Sequence, residues 1–215
     1  MGHKPRLLDL FCGAGGATKG YQLAGFYVVG VDIKPQPHYC GDEFYQADAL
    51  EFPLEGYDAY HASPPCGRFS RLTPPQYRKY HRDYIAHIRA RLQFQWEMRQ
   101  APYVIENVTD AKYKLIEPFM LCGTMFGLPT RRHRYFETQP RHDALLITCQ
   151  HDKLPVVVSG TTRRKTGRIE YPADECYKAM DIDWMIRTEL DKAIPPAYTE
   201  YIGKYLMEYL DDNYG

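Results

Sequence analysis

Two rhythms of apolar and polar positions run along this chain. Short apolar runs at 6–12, 26–33, 44–49 and 57–62 are closed by glycine, proline or a carboxylate and read as strands. The first is followed by Gly13, Gly15 and Gly16, and 17–24 then has helix-compatible composition, giving strand, glycine turn, helix. Beyond Pro75 no glycine or proline occurs up to Gln100, and Tyr80, Tyr84, Ile88, Leu92 and Trp96 recur at every fourth position, which predicts one long amphipathic helix over 75–100. Further on the pattern predicts a strand over 103–106, a helix around 112–121, and strands over 134–138 and 155–159. A last helix opens at Pro195-Pro196, where proline suits a first turn, and runs through Ile202 and Leu206 towards Asp211. Strands alternating with helices imply an α/β fold with a mostly parallel sheet and helices on both faces.

Composition narrows this picture. With 215 residues, 44% hydrophobic and 25% charged, the chain suits one folded domain with a small additional lobe. No apolar run approaches the roughly 20 residues of a membrane helix, and Met1-Gly-His-Lys-Pro-Arg6 leads into a strand instead of a signal sequence, so a cytoplasmic location without membrane contact is expected. Lys plus Arg equals Asp plus Glu, 27 each, so any nucleic-acid binding has to be local. Arg131-Arg132-His133-Arg134 and the loop containing Arg163, Arg164 and Lys165 could supply it, although a solvated loop explains the second as well. The six cysteines show no paired spacing. His142, Cys149 and His151 lack a fourth metal ligand, so no metal is expected.

Chemistry gathers at the ends of the strands. In Asp9-Leu-Phe-Cys-Gly-Ala-Gly-Gly16 the glycines let the backbone turn tightly and approach a ligand, at the carboxyl end of a strand where open parallel sheets bind ligands. Asp32, ending the second strand, can accept from both hydroxyls of a ribose. Phe11 can stack on adenine or serve the core, and Asp48 can accept from the adenine amine. A nicotinamide dinucleotide shares the ribose logic, but Gly13, Gly15 and Gly16 do not form G-x-G-x-x-G. S-adenosylmethionine, which has no phosphate, suits the turn better, with Ile33, Ala49 and Pro64 as neighbouring contacts.

Cys66 follows Pro64-Pro65 at the end of the fourth strand, and two prolines stiffen the backbone that aims the thiol. Glu106-Asn107 ends the neighbouring strand. A thiol beside an acid suits attack on carbon 6 of a cytosine: the acid engages ring nitrogen 3, carbon 5 becomes nucleophilic and takes a methyl group, and Cys66 then leaves. The thiol must ionise, which nearby arginine would favour. Arg134 is the candidate donor to the cytosine carbonyl.

These residues in this order resemble the DNA (cytosine-5) methyltransferase family. The likeness is carried by the Asp9–Gly16 turn, Asp32, Asp48, Pro64-Pro65-Cys66 with Phe69 and Ser70, Glu106-Asn107-Val108, Thr130-Arg131-Arg132-His133-Arg134 and Ala193-Ile-Pro-Pro-Ala-Tyr198. It implies the Rossmann-like class I methyltransferase sheet with an antiparallel edge hairpin, S-adenosylmethionine as donor and S-adenosylhomocysteine as product. DNA, most simply double-stranded, is the implied substrate. The catalytic set would be Cys66, Glu106, Asn107 and Arg134, with Ser70, Arg71, Arg132, Arg163, Arg164 and Lys165 towards the nucleic acid.

Gly67 stands where the family has Gln, Thr130 replaces Gln, and Asp191-Lys192 replaces Gly-Asn. Residues 1–138 would form the core, 139–173 a reduced target-recognition insertion, and 174–215 a segment returning to the core. Such a short insertion implies brief or relaxed sequence specificity, as in compact bacteriophage members, and a monomer or weak dimer is expected. RNA or a free cytosine nucleotide as substrate, and a non-enzymatic DNA-binding relic, remain the alternative readings.

Overall fold

The computed structural model describes residues 4–71, 73–142, 148–159, 162–164 and 167–214, with 162–164 and 167–169 as backbone. Four strands, β1 (Arg6–Leu10), β2 (Tyr27–Asp32), β3 (Glu43–Gln46) and β4 (Ala59–Ala62), fall where the apolar runs placed them. With β5 (Tyr103–Val108), β6 (Phe119–Leu121) and β7 (Arg134–Gln139) they form a seven-stranded sheet of order β3-β2-β1-β4-β5-β7-β6. The first five pair in parallel, and β7 runs antiparallel to both β5 and β6. This is the class I methyltransferase sheet that the sequence led us to expect. The chain crosses over between β3 and β4, so the order reverses beside β1, and the crevice outside the carboxyl ends of the strands at such a reversal is the position where open sheets take ligands.

The inner strands are apolar throughout because both faces are covered. On one face Leu8, Leu10, Val29, Val31, Tyr60, Ala62 and Ile105 pack with Ile85, Ile88 and Leu92 of helix α3 (Ile85–Arg99). On the other, Leu7, Val28, Ala59, Val104 and Phe136 pack with α1 (Gly16–Ala24) and α6 (Pro196–Tyr214). Successive strand side chains alternate faces, so Asp9 shares the face of Leu7 and His61 that of Ala59. Helices α1 and α6 approach closely at glycines. A Cβ on Gly20 would collide with the Pro196 carbonyl and the Thr199 hydroxyl, and one on Gly203 would come within 2.6 Å of the Ala24 Cβ. Gly20→Ala is therefore expected to destabilise the fold by about 1–3 kcal/mol through overpacking, measurable as a lower thermal midpoint.

Three predicted elements differ. The long helix over 75–100 is interrupted: α2 spans only Pro75–Arg78, and α3 begins at Ile85. Asp83 Oδ1 accepts from the Ile85 amide at 3.1 Å and so starts a new helix. The helix around 112–121 is a 3₁₀ turn, Thr109–Lys114, followed by β6. Here the ion pair of half-buried Arg89 with buried Glu137 takes the backbone groups a helix would use, because Arg89 donates to the Lys114 carbonyl at 2.6 Å and the Ile116 amide donates to Glu137 at 2.8 Å. Residues 155–159 form no strand. They are held by the Val156 amide on the Pro129 carbonyl, 2.7 Å, and by burial of Val158 with Cys176 and Met180 of α4 (Ala173–Met180).

Thr162–Arg164 and Gly167–Ile169 pair as a small separate antiparallel sheet, β8 and β9. A short helix, α5 (Arg187–Leu190), precedes α6. No helix among the described residues is long and apolar enough to cross a membrane.

Candidate active site

The turn after β1 is built for close approach. Phe11, Gly13 and Gly15 all have positive φ, at 61°, 53° and 91°, and a Cβ on Gly13 would meet nothing within 4 Å, so the space beside it is open. Gly16 could not carry a side chain, because the Ile194 carbonyl lies 2.7 Å from where its Cβ would be. The Gly13 amide donates to Asp32 Oδ2 at 3.1 Å and the Lys34 amide to Oδ1 at 2.9 Å. Each carboxylate oxygen retains a second lone pair for a ligand hydroxyl. Next to it Ile33 is 65% exposed, an apolar face left uncovered at a strand end. Phe11 is half-buried, Ala49 and Pro64 are buried, and exposed Asp48 opens a turn by accepting from the Leu50 amide at 2.9 Å.

Asp9 is wholly buried. Its Oδ2 accepts from Thr18 at 2.6 Å while Oδ1 has no partner. Burial pushes its carboxyl up to about 7, against the Thr18 hydrogen bond that lowers it, and the Asp32 charge raises it further. Two of the fold's buried acids, Asp9 and Glu106, thus lie on the α1 side of the sheet in mutual electrostatic reach.

Cys66 ends the stiff turn after β4. Its carbonyl accepts from the Phe69 and Ser70 amides, both at 2.8 Å, and Asn107 Nδ2 donates to the Pro64 carbonyl at 3.0 Å. Asn107 is buried and its Oδ1 accepts from the Val108 amide. It therefore positions the turn that carries Cys66 instead of facing a substrate. Gly67 also has a reason: a Cβ there would come within 2.5 Å of the His81 ring, which occupies the place of a larger residue. Phe69 is buried edge-on to Tyr113, and Arg71 pairs with Asp110 at 3.0 Å with most of its side chain in solvent.

Glu106, in β5, is buried and faces Arg134 at the start of β7, with Arg134 Nε 3.0 Å from Oε1. The N–H is not aimed at that oxygen, which is left without a hydrogen bond. A chain of buried groups backs the acid. Tyr21 lies 2.9 Å from His61 Nδ1, His61 Nε2 lies 2.8 Å from Ser63 Oγ, and Ser63 hydrogen-bonds Glu106. Burial drives the His61 pKa down to about 3, so the ring is neutral, and burial also raises the Tyr21 phenol. Tyr21 therefore keeps its proton and donates to Nδ1, which leaves the ring proton on Nε2 for Ser63 and the serine proton for Glu106. His61 and Ser63 lie just before Pro64-Pro65-Cys66 in the chain, whereas Tyr21, forty residues away, reaches them only through the fold.

Burial raises Glu106 above an ordinary carboxyl, with Arg134 and Ser63 opposing. The Cys66 thiol is also raised, first by burial and then by the Glu106 charge, which together outweigh Arg134 and Arg132. The expected lowering by arginine is thus corrected: while Glu106 is an anion, the thiol stays protonated. Arg132 is corrected too. Its guanidinium donates to the Ala193 carbonyl at 2.6 Å, the Asp191 carbonyl at 2.8 Å and Ser159 at 3.0 Å, tying the start of β7 to the segment beside Gly16. Burial and the charge of Arg134 push it down to about 9.

Arg163 and Arg164 lie on β8, and Lys165 lies outside the described residues. His142 stands apart from Cys149 and His151, stacked on Tyr205 and 2.7 Å from the Tyr201 hydroxyl. Cys149 and His151 instead meet Cys122 and His133, neither of which the sequence had grouped with them.

No protein-family model and no curated protein sequence matches the chain. Solved structures do. A protein of an E. coli prophage described as a DNA modification methyltransferase superposes with a TM-score of 0.64 at 15% identity, covering 97% of this chain and 100% of the other. The Entamoeba histolytica methyltransferase EhMeth gives 0.64 at 10% identity, covering 97% and 99%. The S. pombe Dnmt2 methyltransferase gives 0.62 at 12% identity, covering 97% and 100%. At these identities the likeness establishes the fold.

Proposed function

We propose that the chain transfers a methyl group from S-adenosylmethionine to carbon 5 of cytosine in DNA through a covalent Cys66 adduct. The observation that carries this is the meeting of Cys66, Glu106 and Arg134 in one electrostatic neighbourhood, at the same end of the sheet as the glycine turn. The methyltransferase fold and the names of the similar proteins point the same way.

The residues after β1 and β2 fit the donor: open space at Gly13, unused lone pairs on Asp32 for a ribose, and an exposed Ile33 for adenine. When bound, the sulfonium supplies an electrophilic methyl group. Protonated Glu106 donates to cytosine nitrogen 3, while its other oxygen accepts from the exocyclic amine. Arg134 donates to the ring carbonyl. Electrons withdrawn in this way open carbon 6 to the Cys66 sulfur, and the new S–C bond makes carbon 5 the nucleophile that takes the methyl group. Loss of the carbon 5 proton to a base then re-forms the double bond and expels Cys66.

Base extrusion costs a few kcal/mol and must be offset by contacts to the strands. Ser70 and Arg71, just after the nucleophile, and the β8–β9 hairpin with Arg163 and Arg164 are the groups assigned to it, with the short insertion giving relaxed specificity. Labelled methyl incorporation is expected with duplex DNA ahead of RNA and of dCMP. A preference for either of the latter would overturn the DNA assignment. No incorporation into any of the three, with no trapping on 5-fluorocytosine DNA, would overturn methyl transfer itself.

A further inference from the structure

Away from that crevice, four residues converge where β6 ends, β7 begins and the 148–159 segment passes over them. One ligand atom from each of Cys122, His133, Cys149 and His151 lies within 4.8 Å of every other. We propose that these four hold a structural zinc ion that pins the insertion to the strand bearing Arg134.

The donor set comes first. Two thiols and two imidazoles are the Cys₂His₂ combination that selects zinc over harder cations. The edges come second. A tetrahedral zinc with nitrogen ligands at roughly 2.05 Å and sulfur at roughly 2.3 Å has an N···N edge of roughly 3.3 Å and an S···N edge of roughly 3.6 Å. Here His133 Nε2 and His151 Nε2 are 3.3 Å apart, and Cys122 Sγ and His151 Nε2 are 3.5 Å apart. Hydrogen bonds between the two rings and between the Cys122 thiol and His151 account for these two distances taken singly, but not for two cysteines and two histidines arriving at the same point.

The surroundings hold the ligands in place. Arg131 donates to the His151 carbonyl at 3.0 Å, and the Gln150 amide donates to Thr124 at 3.2 Å, so 150–151 is tied to both ends of the 122–133 turn. Cys122 is buried and the other three are half-buried, as in a closed four-ligand site and unlike an open catalytic one. His133 is the immediate neighbour of Arg134. The ion would thus fix the insertion relative to the crevice without entering the reaction, and the inference stands whether or not the proposed activity is correct.

The full chain, produced with zinc in the medium, is expected to carry about one zinc per chain by elemental mass spectrometry. His142→Gln is expected to retain it, and Cys122→Ser/Cys149→Ser to fall below roughly a tenth of that content. Should the double variant fail to fold, cobalt titration of the metal-stripped wild-type chain decides. Saturation at about one equivalent with the intense visible bands and thiolate charge transfer of tetrahedral coordination supports the site. A zinc content below roughly a tenth per chain, weak octahedral cobalt bands, unchanged zinc in the double variant, or a Cys122–Cys149 disulfide in place of metal would each overturn it.

Discussion

Cys66→Ser is expected to lower methyl transfer to cytosine by ~10³-fold or more and to abolish covalent trapping on 5-fluorocytosine DNA, while donor binding stays near the wild-type value. A serine hydroxyl has nearly the same shape but is a far weaker nucleophile towards a pyrimidine carbon. The turn that carries it is held by backbone amides of Phe69 and Ser70 and by Asn107 on the Pro64 carbonyl, none of which needs sulfur. Folding should therefore survive, as a thermal midpoint close to wild type would report. Full activity in the serine variant would remove covalent catalysis from consideration.

The second large effect is at Glu106. Glu106→Gln keeps a donor and an acceptor for the cytosine edge but cannot deliver a proton, so kcat should fall by about 10²–10⁴-fold with KM little changed. The pH profile is the sharper readout. Glu106 and Cys66 are both raised by burial, and the Glu106 charge raises Cys66 further, so the two titrate as a pair. The competent form has one proton between them, on the acid and off the thiol. As pH falls through the raised Glu106 value a second proton binds and activity drops. As pH rises through the raised Cys66 value the last proton leaves, and activity drops again. The wild-type bell should thus lie to the alkaline side of a free carboxyl and a free thiol. In the Glu106→Gln variant no acid competes for the proton, the thiol pKa falls, and the profile should rise once to an alkaline plateau. A bell unchanged by the substitution would show that Glu106 takes no part.

Much of this arrangement is legible in the chain itself. The buried parallel strands are near-continuous apolar runs, and Asp32, Cys66 and Glu106 stand out because each lies at or near the carboxyl end of one of them. Two of the errors share an origin: they occur where a distant group replaces a local partner. The Arg89–Glu137 pair diverts 112–121 from helix, and Arg132 looks like an exposed cation until Ala193 and Asp191 return to accept from it. Asp83 resets the helix after a tyrosine pattern that ignores it; Tyr80, which fits that pattern, is 73% exposed. Likewise the four convergent ligands span 122 to 151 with no regular spacing: the β6–β7 hairpin joins Cys122 to His133, and the 148–159 segment brings Cys149 and His151 to them.

The glycine turn after β1 is completed from the far end of the chain. Trp184 Nε1 donates to the Ala14 carbonyl at 2.9 Å, Thr199 donates to the Ala17 carbonyl at 2.8 Å, and the Ile194 carbonyl lies against Gly16. The turn at 11–17 is therefore enclosed only once residues as far on as 199 have been synthesised. At about 5–20 residues per second, the 182 positions separating Thr199 from Ala17 correspond to roughly 10–40 s of synthesis. Throughout that interval Leu7, Tyr21 and Val28 lack the cover that α6 gives them. The turn cannot be enclosed before residues 184–199 have been made, and slow translation lengthens the period in which those apolar side chains can aggregate.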